Sequence, residues 1–293
     1  MNWQAYRWVW RLESPLFIGM PPAGSLNRCR CYVPARTLAG ALAAELARRR
    51  CPEGTSPDYG KFGHELGTNC RLTYLYPAQK VNGEYLAWLP RYQKDTGGLA
   101  WQLQDPTPDK SNDPIPDRQF RRCLMSSRAG TAIDPSTDSA AEATLHETEC
   151  LGPSWRTSPL NPESEPEPVF LVGYIFLRNN SFFKQFSETK TLFLGGDTRY
   201  GLGRVSLQDE ISKADSIFDK KIEMGHVIET DLILGHAPAN INGKDLHGAQ
   251  EMLWGWHLKK AQTENVVYWV PGSRTKDCET WSIDNYGRWI IAE

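Results

Sequence analysis

No stretch of this 293-residue chain approaches the roughly 20 apolar residues of a membrane span. The first ten residues, MNWQAYRWVW, alternate polar and aromatic side chains and lack the apolar centre of a secretion signal. A cytoplasmic protein without membrane contact is expected. C-x-x-C pairs are missing too. The seven cysteines are scattered, and the closest two, Cys29 and Cys31, are C-x-C. Neither structural zinc nor a disulfide framework is expected, and a chain of this length buries a core without them. Strong net charge is also lacking: the balance is −2, which alone argues against a nucleic-acid partner.

That balance hides an asymmetry. Residues 1–50 hold eight arginines against Glu13 and Glu45, a local +6 that leaves −8 for the rest. Such an end can face nucleic acid, although a solvated arginine-rich helix face reads equally well. The segment Met20–Ala35 has no acidic residue and carries Asn27, Arg28 and Arg30. The six histidines are spread along the chain, and no His, Lys and Tyr constellation for general acid–base chemistry stands out. Glu142 and His146 have helical spacing, as do many unrelated pairs. No catalytic residue, metal site or cofactor is expected.

Residues 3–12 read as a strand, and Pro21, Pro22 and Gly24 as a loop. From Thr37, a candidate cap, Leu38, Ala41, Leu42 and Leu46 form the apolar face of a helix ending near Cys51-Pro52. Residues 52–70, with four glycines and two prolines, read as a loop. Asn82-Gly83 marks a hairpin. Residues 94–117 look like an exposed insertion, 118–133 a strand pair, 134–149 a projecting loop or hairpin, and 157–168 a surface connector. VFLVGYIFLR at 169–178, apolar on both faces, should be a central strand. A helix, a strand and a turn follow to Gly196. Further strands are expected at 226–235, 265–272 and 287–293, with a short helix at 248–260. The order β, α, β, β, α, β makes this an α+β chain, ferredoxin-like (RRM-like), with a second β-rich region. The first domain spans 1–207, with insertions at about 94–117 and 126–165, and residues 208–293 form the C-terminal region.

LFLGGDTRYGLGRVSL at 192–207 is the most informative stretch. Gly195, Gly196, Gly201 and Gly203 permit left-handed turns and close approach of a ligand to the main chain, so that successive N–H groups could form an anion nest. Arg199 and Arg204 add charge, and Tyr200 adds a stacking face. It is not a Walker loop, since no G-K-[ST] ends it, and it lacks the third glycine of a dinucleotide site. A glycine-rich turn with surface arginines is the plainer reading.

The loop resembles the glycine-rich signature of the RAMP superfamily, the RNA-binding proteins of CRISPR effector complexes. SPLFIG at 14–19 and YVPARTLAGALAAEL at 32–46 resemble that family's N-terminal pattern, with Ala35 where Gly is usual and Arg36-Thr37 where Ser often stands. SSRAGTAIDPSTDSAAEATLHETE at 126–149 is similar to the thumb region of type III subunits. The resemblance spans 14–207 and stops there.

It implies a ferredoxin-like RAMP domain with a projecting thumb-like insertion. It also implies CRISPR RNA as a ligand, other effector subunits as partners, and target RNA as an indirect one. Type III backbone subunits cut target RNA with an aspartate from the loop that here lacks any carboxylate. The resemblance therefore implies a non-catalytic, crRNA-binding subunit that holds the 5′ tag and caps the filament, and the insertion at 94–117 points to subtype III-D. A backbone subunit of the same complex, lacking or retaining target-RNA cleavage, is the alternative. A pre-crRNA processing endonuclease and a tryptophan-rich carbohydrate- or peptide-binding protein are further ones. The expected RNA contacts are Arg28, Arg30, Arg36, Thr37, Arg128, Gly195, Gly196, Arg199, Tyr200, Gly201, Gly203 and Arg204.

Overall fold

The computed structural model describes residues 3–93, 98–104, 113–178, 182–223, 225–241, 246–257 and 260–292. Strand β1 (Gln4–Leu12) is followed by a long irregular stretch and then by α1 (Ala35–Arg49). Leu38, Leu42 and Leu46, with Ala35, Ala43 and Ala47, form the buried stripe of α1. The helix starts before the expected Thr37 cap. Pro34, extended at φ −62° and ψ 144°, is the N-cap, and the Thr37 N–H donates to the Pro34 carbonyl at 3.0 Å. The Leu38 N–H donates to the same carbonyl at 3.3 Å, and no side chain caps the helix.

Residues 52–70 are not simply a loop. Helix α2 (Tyr59–Asn69) begins where the Asp58 carboxylate accepts the Lys61 N–H at 2.9 Å. Phe62 and Leu66, one turn apart, are its buried side. A cap and two apolar anchors packed along α1 outweigh three glycines, each worth about 1 kcal/mol against a helix. Strands β2 (Cys70–Leu72), β3 (Tyr76–Val81) and β4 (Glu84–Tyr92) follow. The β3–β4 turn is the expected Asn82-Gly83, both with positive φ.

The supposed insertion at 94–117 holds core strand β5 (Leu99–Leu103), with Ala100, Trp101 and Leu103 buried, while 94–97 and 105–112 lie outside the described residues. The expected strand pair at 118–133 is instead helix α3 (Asp117–Leu124) and strand β6 (Met125–Gly130). Phe120, Cys123 and Leu124 bury at helical spacing, and the Phe120 ring stacks on Trp101 with centroids 4.5 Å apart. Strand β7 (His146–Leu151) pairs antiparallel with β6, and residues 131–145 form the largely exposed tip of this hairpin. Strand β8 (Phe170–Leu177) is buried at every position. Helix α4 (Phe183–Glu188), β9 (Thr191–Phe193) and β10 (Arg204–Leu207) complete this part.

The C-terminal strands are β11 (Val227–Leu232), β12 (Gln250–His257), β13 (Lys260–Trp269), β14 (Arg274–Ile283) and β15 (Trp289–Ile291). The helix expected at 248–260 is strand β12, hairpinned onto β13 from Gln250–Trp269 to His257–Lys260. Its Trp-Gly-Trp run favours an extended chain, since glycine and β-aromatics are poor helix formers.

The main sheet runs β9–β10–β1–β8–β3–β4–β5, with residues 115–116 at the far edge, and β2 pairs beside β3 on β8. Strand β1 is antiparallel to both β8 and β10. The chain is thus mixed α+β around a large, mainly antiparallel sheet. Trp8, Trp10, Trp88, Trp101, Trp155, Trp281 and Trp289 are fully buried. Val9 is buried as well, so both faces of β1 are covered, and the one partly buried Trp of this segment, Trp3, precedes the strand. No helix among the described residues is long and apolar enough to cross a membrane.

Candidate nucleic-acid interface

The segments singled out in the sequence meet along residues 14–20. On one side, the Gly196 N–H donates to the Phe17 carbonyl at 2.9 Å, and the Gly203 N–H to that of Pro15 at 2.8 Å. On the other, Leu16 and Leu151 exchange both backbone hydrogen bonds. Beyond them, Arg30 N–H donates to Ile18 and Met20 N–H to Arg28, folding 28–30 back over 18–20. The glycine-rich loop, the β6–β7 hairpin and the acid-free loop therefore share one frame.

The glycines act differently from the expected nest. Gly195, Gly201 and Gly203 all have positive φ. A Cβ at Gly195 would lie 2.2 Å from the Phe17 carbonyl oxygen, and one at Gly203 1.9 Å from that of Leu194. The N–H groups of Gly196, Gly201 and Gly203 are donated to Phe17, Thr198 and Pro15, so they do not face a ligand. What the tight turn does instead is present a short 3₁₀ turn, Thr198–Tyr200, outward. Arg199 and Arg204 are exposed, and Tyr200 is 80% exposed. Arg128, on β6, is exposed as well. The buried Cys150 thiol, pushed up to about 11 by its burial, feels both Arg128 and Asp197 of the turn. The hairpin arginine and the glycine-rich turn thus both lie within electrostatic reach of Cys150. An exposed cationic rim with one exposed ring is suited to phosphates and to a stacked base.

Of the other expected contacts, two are engaged by groups of the protein and two are half-buried. Arg30 is ion-paired through both nitrogens to Glu251, at 2.6 and 2.9 Å, and donates to the Tyr32 hydroxyl, which removes it from the set available to RNA. Arg36 lies over the Tyr286 ring, 5.6 Å from its centroid. Thr37 is half-buried in the first turn of α1, and Arg28 is half-buried beside Met20.

Sequence reasoning missed two polar clusters that hold this frame. Glu149 accepts from the Cys29 N–H at 3.0 Å and from Arg121 at 2.8 Å, supplying a carboxylate to the acid-free loop from β7. Glu251 also binds the Nε2 of the buried His236 at 2.6 Å, and its Nδ1 meets the Tyr74 hydroxyl at 2.6 Å. Burial pushes His236 below its ordinary value. Burial also opposes ionisation of Glu251, yet its hydrogen bonds to His236 and Arg30 hold it down at about 2. Each cluster joins residues more than a hundred positions apart or from separate strands, with no local motif to show it.

No family model and no curated protein matches the sequence. Solved structures do match. One chain of the Type III-B Cmr-beta bound to cognate target RNA and AMPPnP superposes with a TM-score of 0.57 at 17% identity, covering 92% of this chain and 85% of that one. In the Cmr-beta bound to cognate target RNA, the values are 0.57, 16%, 92% and 86%. At such identity the likeness establishes architecture, and the architecture of this chain is that of a protein of the Type III-B Cmr-beta complex.

Proposed function

We propose that this chain is a non-catalytic CRISPR RNA-binding subunit of a type III effector complex, holding the 5′ tag of the guide and capping one end of the assembly. The observation that carries the reading is the convergence on residues 14–20 of the glycine-rich turn, whose Arg199 and Arg204 are exposed, and the β6–β7 hairpin, whose Arg128 is exposed. The sheet order β10–β1–β8–β3, with α1 between β1 and β2 and α4 between β8 and β9, is the order of a ferredoxin-like unit and supports the RAMP reading. The hairpin tip at 131–145 is the thumb-like projection of that reading. Arg49 of α1 donates to the Glu188 carbonyl, tying the two helices together. The structural likeness to a complex solved with target RNA points to the same class of partners: CRISPR RNA, neighbouring subunits, and target RNA through the guide.

The test is RNA retention. Changing Arg199 and Arg204 to Ala should weaken crRNA binding and lower its log–log salt slope by about 0.7 per lost phosphate contact. Small RNAs purified with the native chain should share one 5′ end. An unchanged slope, or cleavage of repeat RNA by the pure chain, overturns the reading. Several copies per complex would overturn the capping position.

A further inference from the structure

The face of the main sheet turned away from α4 is closed over its centre and open at one corner. Side chains alternate between the two faces along each strand. Trp8 of β1 meets Phe186 of α4 with ring centroids 6.0 Å apart, so Trp8, Trp10 and Leu12 lie on the α4 face. Arg7, Val9 and Arg11 lie on the other, where Arg7 stands opposite Tyr174 of β8. There the short hairpin of Ser216–Ile217 with Lys220–Lys221 seats Phe218 edge-on against Tyr174 at 4.9 Å and Tyr76 of β3 at 5.4 Å. All three rings are buried, which closes this part of the sheet to a ligand. The cover stops short of β10 and β9. Leu12 pairs with Val205 and Val205 with Leu192, all buried on the α4 face. On the other face Arg204 of β10 stands opposite Phe193 of β9, and Glu13 lies beside Arg204, its N–H donating to the Arg204 carbonyl at 2.9 Å.

Phe193 is 45% exposed, and Arg204, Arg11 and Glu13 are exposed with it. Glu13 is the acid of this corner. It accepts from the Ser206 hydroxyl at 2.6 Å and lies 3.8 Å from Arg11. The Arg204 guanidinium has no hydrogen-bond or ion-pair partner among the described residues, so the corner holds two cations for one carboxylate. Phe193 and Arg204 also stand at the two ends of the glycine-rich turn, which the Leu194 N–H closes onto the Gly203 carbonyl at 2.8 Å. The ring thus sits at the base of the segment that presents Arg199 and Tyr200. Its neighbours on this face, Arg204, Glu13, Ser206, Arg11 and Thr191, are polar, so the corner lacks the apolar centre of a protein–protein contact. One open ring beside an unpaired guanidinium suits a single base and its adjoining phosphate.

We infer that Phe193 is a base-stacking residue for single-stranded RNA, with Arg204 on the adjoining phosphate. This rests on the RNA-binding reading above and deepens it, since that reading uses the charges of the turn and not this ring. The test uses the full chain and a fluorescent uridine homopolymer of about 10 nucleotides, within the span of one single-strand site. Phe193→Ala should weaken binding about tenfold and leave the salt slope unchanged, because a ring is lost and no cation. Phe193→Leu keeps an apolar side chain without a ring and should fall with the alanine variant, whereas Phe193→Tyr should bind as the native chain does. Arg204→Ala should instead lower the slope by about 0.7. Ultraviolet irradiation of the native chain on the same RNA should attach uridine to residues 191–199, where Phe193 is the only aromatic residue; trypsin cuts after Lys190 and Arg199 and so separates it from Tyr200. This crosslink decides alone if the alanine and leucine variants fail to fold. Native affinity in Phe193→Ala or Phe193→Leu, with a lowered slope for Arg199→Ala with Arg204→Ala, overturns this inference and leaves the RNA-binding reading standing. Native affinity and slope in every variant, or no binding by the native chain, overturns both. Loss of a partner subunit from the Phe193→Ala chain, with its RNA affinity intact, makes the corner a protein contact and overturns the inference as well.

Discussion

Glu251 holds Arg30 through both carboxylate oxygens across 221 positions of sequence. With His236 and Tyr74 on its other side, this pair fastens β12 to the segment that leads into α1. Nε2–H of His236 faces the carboxylate, so its Nδ1 accepts the Tyr74 hydroxyl and the ring is neutral. Both side chains of the ion pair are largely buried, at 10% and 16% exposure. Glu251→Gln leaves the Arg30 charge without its counter-ion, and we expect a loss of about 3 kcal/mol in denaturant unfolding.

The same cluster sets an acid limit. His236 has its folded pKa depressed below 6.5, so the unfolded chain binds its proton first, and stability present above that value falls as the pH drops below it. Glu251 is depressed from 4.5 to about 2, so its contribution is present above 4.5 and lost as the pH falls from there towards 2. Melting curves should therefore shift down in two stages on acidification. His226, also pushed down by burial, contributes in the same range, so His236→Gln should shrink the first stage, and an undiminished stage in that variant would refute the assignment.

The glycines of the 192–207 turn should rank by steric contact. Ala at Gly203 or Gly195 meets a carbonyl oxygen within 2.2 Å and must adopt positive φ, whereas Gly201 has positive φ but open space around it. Gly201→Ala should cost about 1 kcal/mol, and the other two clearly more. Chemical denaturation of the three variants checks the order, and equal losses would show that close approach to the Phe17 and Leu194 carbonyls is not what the glycines serve.

What could be read from sequence was what is local. The apolar run of β8, the Asn82-Gly83 turn and the α1 stripe carry their signals within a few residues. So does the clustering of glycines and arginines at 195–204. Helix α2 was hidden by its glycines, because its stability comes from the Asp58 cap and from packing along α1. Strand β5 was masked by polar, proline-rich flanks, although Trp101 belongs to a ring cluster completed by Phe120, Trp88 and Trp155. Arg30 carried the right charge, but its partner lies on a distant strand. The nest was a fair inference from glycine spacing, and it failed because the N–H groups of Gly196, Gly201 and Gly203 are taken by the Phe17, Thr198 and Pro15 carbonyls.

The β6–β7 hairpin separates stability from assembly. Its base is tied down, since the Glu147 N–H donates to Ser25 and Thr148 is buried, but Ile133 and Leu145 at the tip are 58% and 69% exposed. Replacing 132–144 with a short Gly-Asn turn should change unfolding by no more than about 0.5 kcal/mol. It should impair incorporation into the effector complex, as read by co-purification. A broad, lowered melt would make the tip part of the core, and normal incorporation would remove its assembly role.

The absence of catalysis is the sharpest claim to test. Residues 20–35 supply no carboxylate, but Glu149 reaches the Cys29 N–H, and Asp197 stands exposed in the glycine-rich turn. Glu149 is already held by Arg121, with both side chains 21% exposed, and its second contact is a backbone N–H. Both contacts tie Glu149 to the loop, which gives it a positioning role in this reading. Arg28 can hold a phosphate, but a guanidinium stays charged at neutral pH and moves no proton. Asp197 adopts a left-handed conformation and its carbonyl caps the turn, accepting from the Tyr200 N–H at 2.9 Å. The assembled complex should therefore keep every cut in a target RNA after Asp197→Ala, Glu149→Gln or Asn27→Ala in this chain. Mapping cut positions on an end-labelled target reads the outcome directly. Loss of one cut with RNA retention intact would identify this chain as a nuclease and displace the capping assignment.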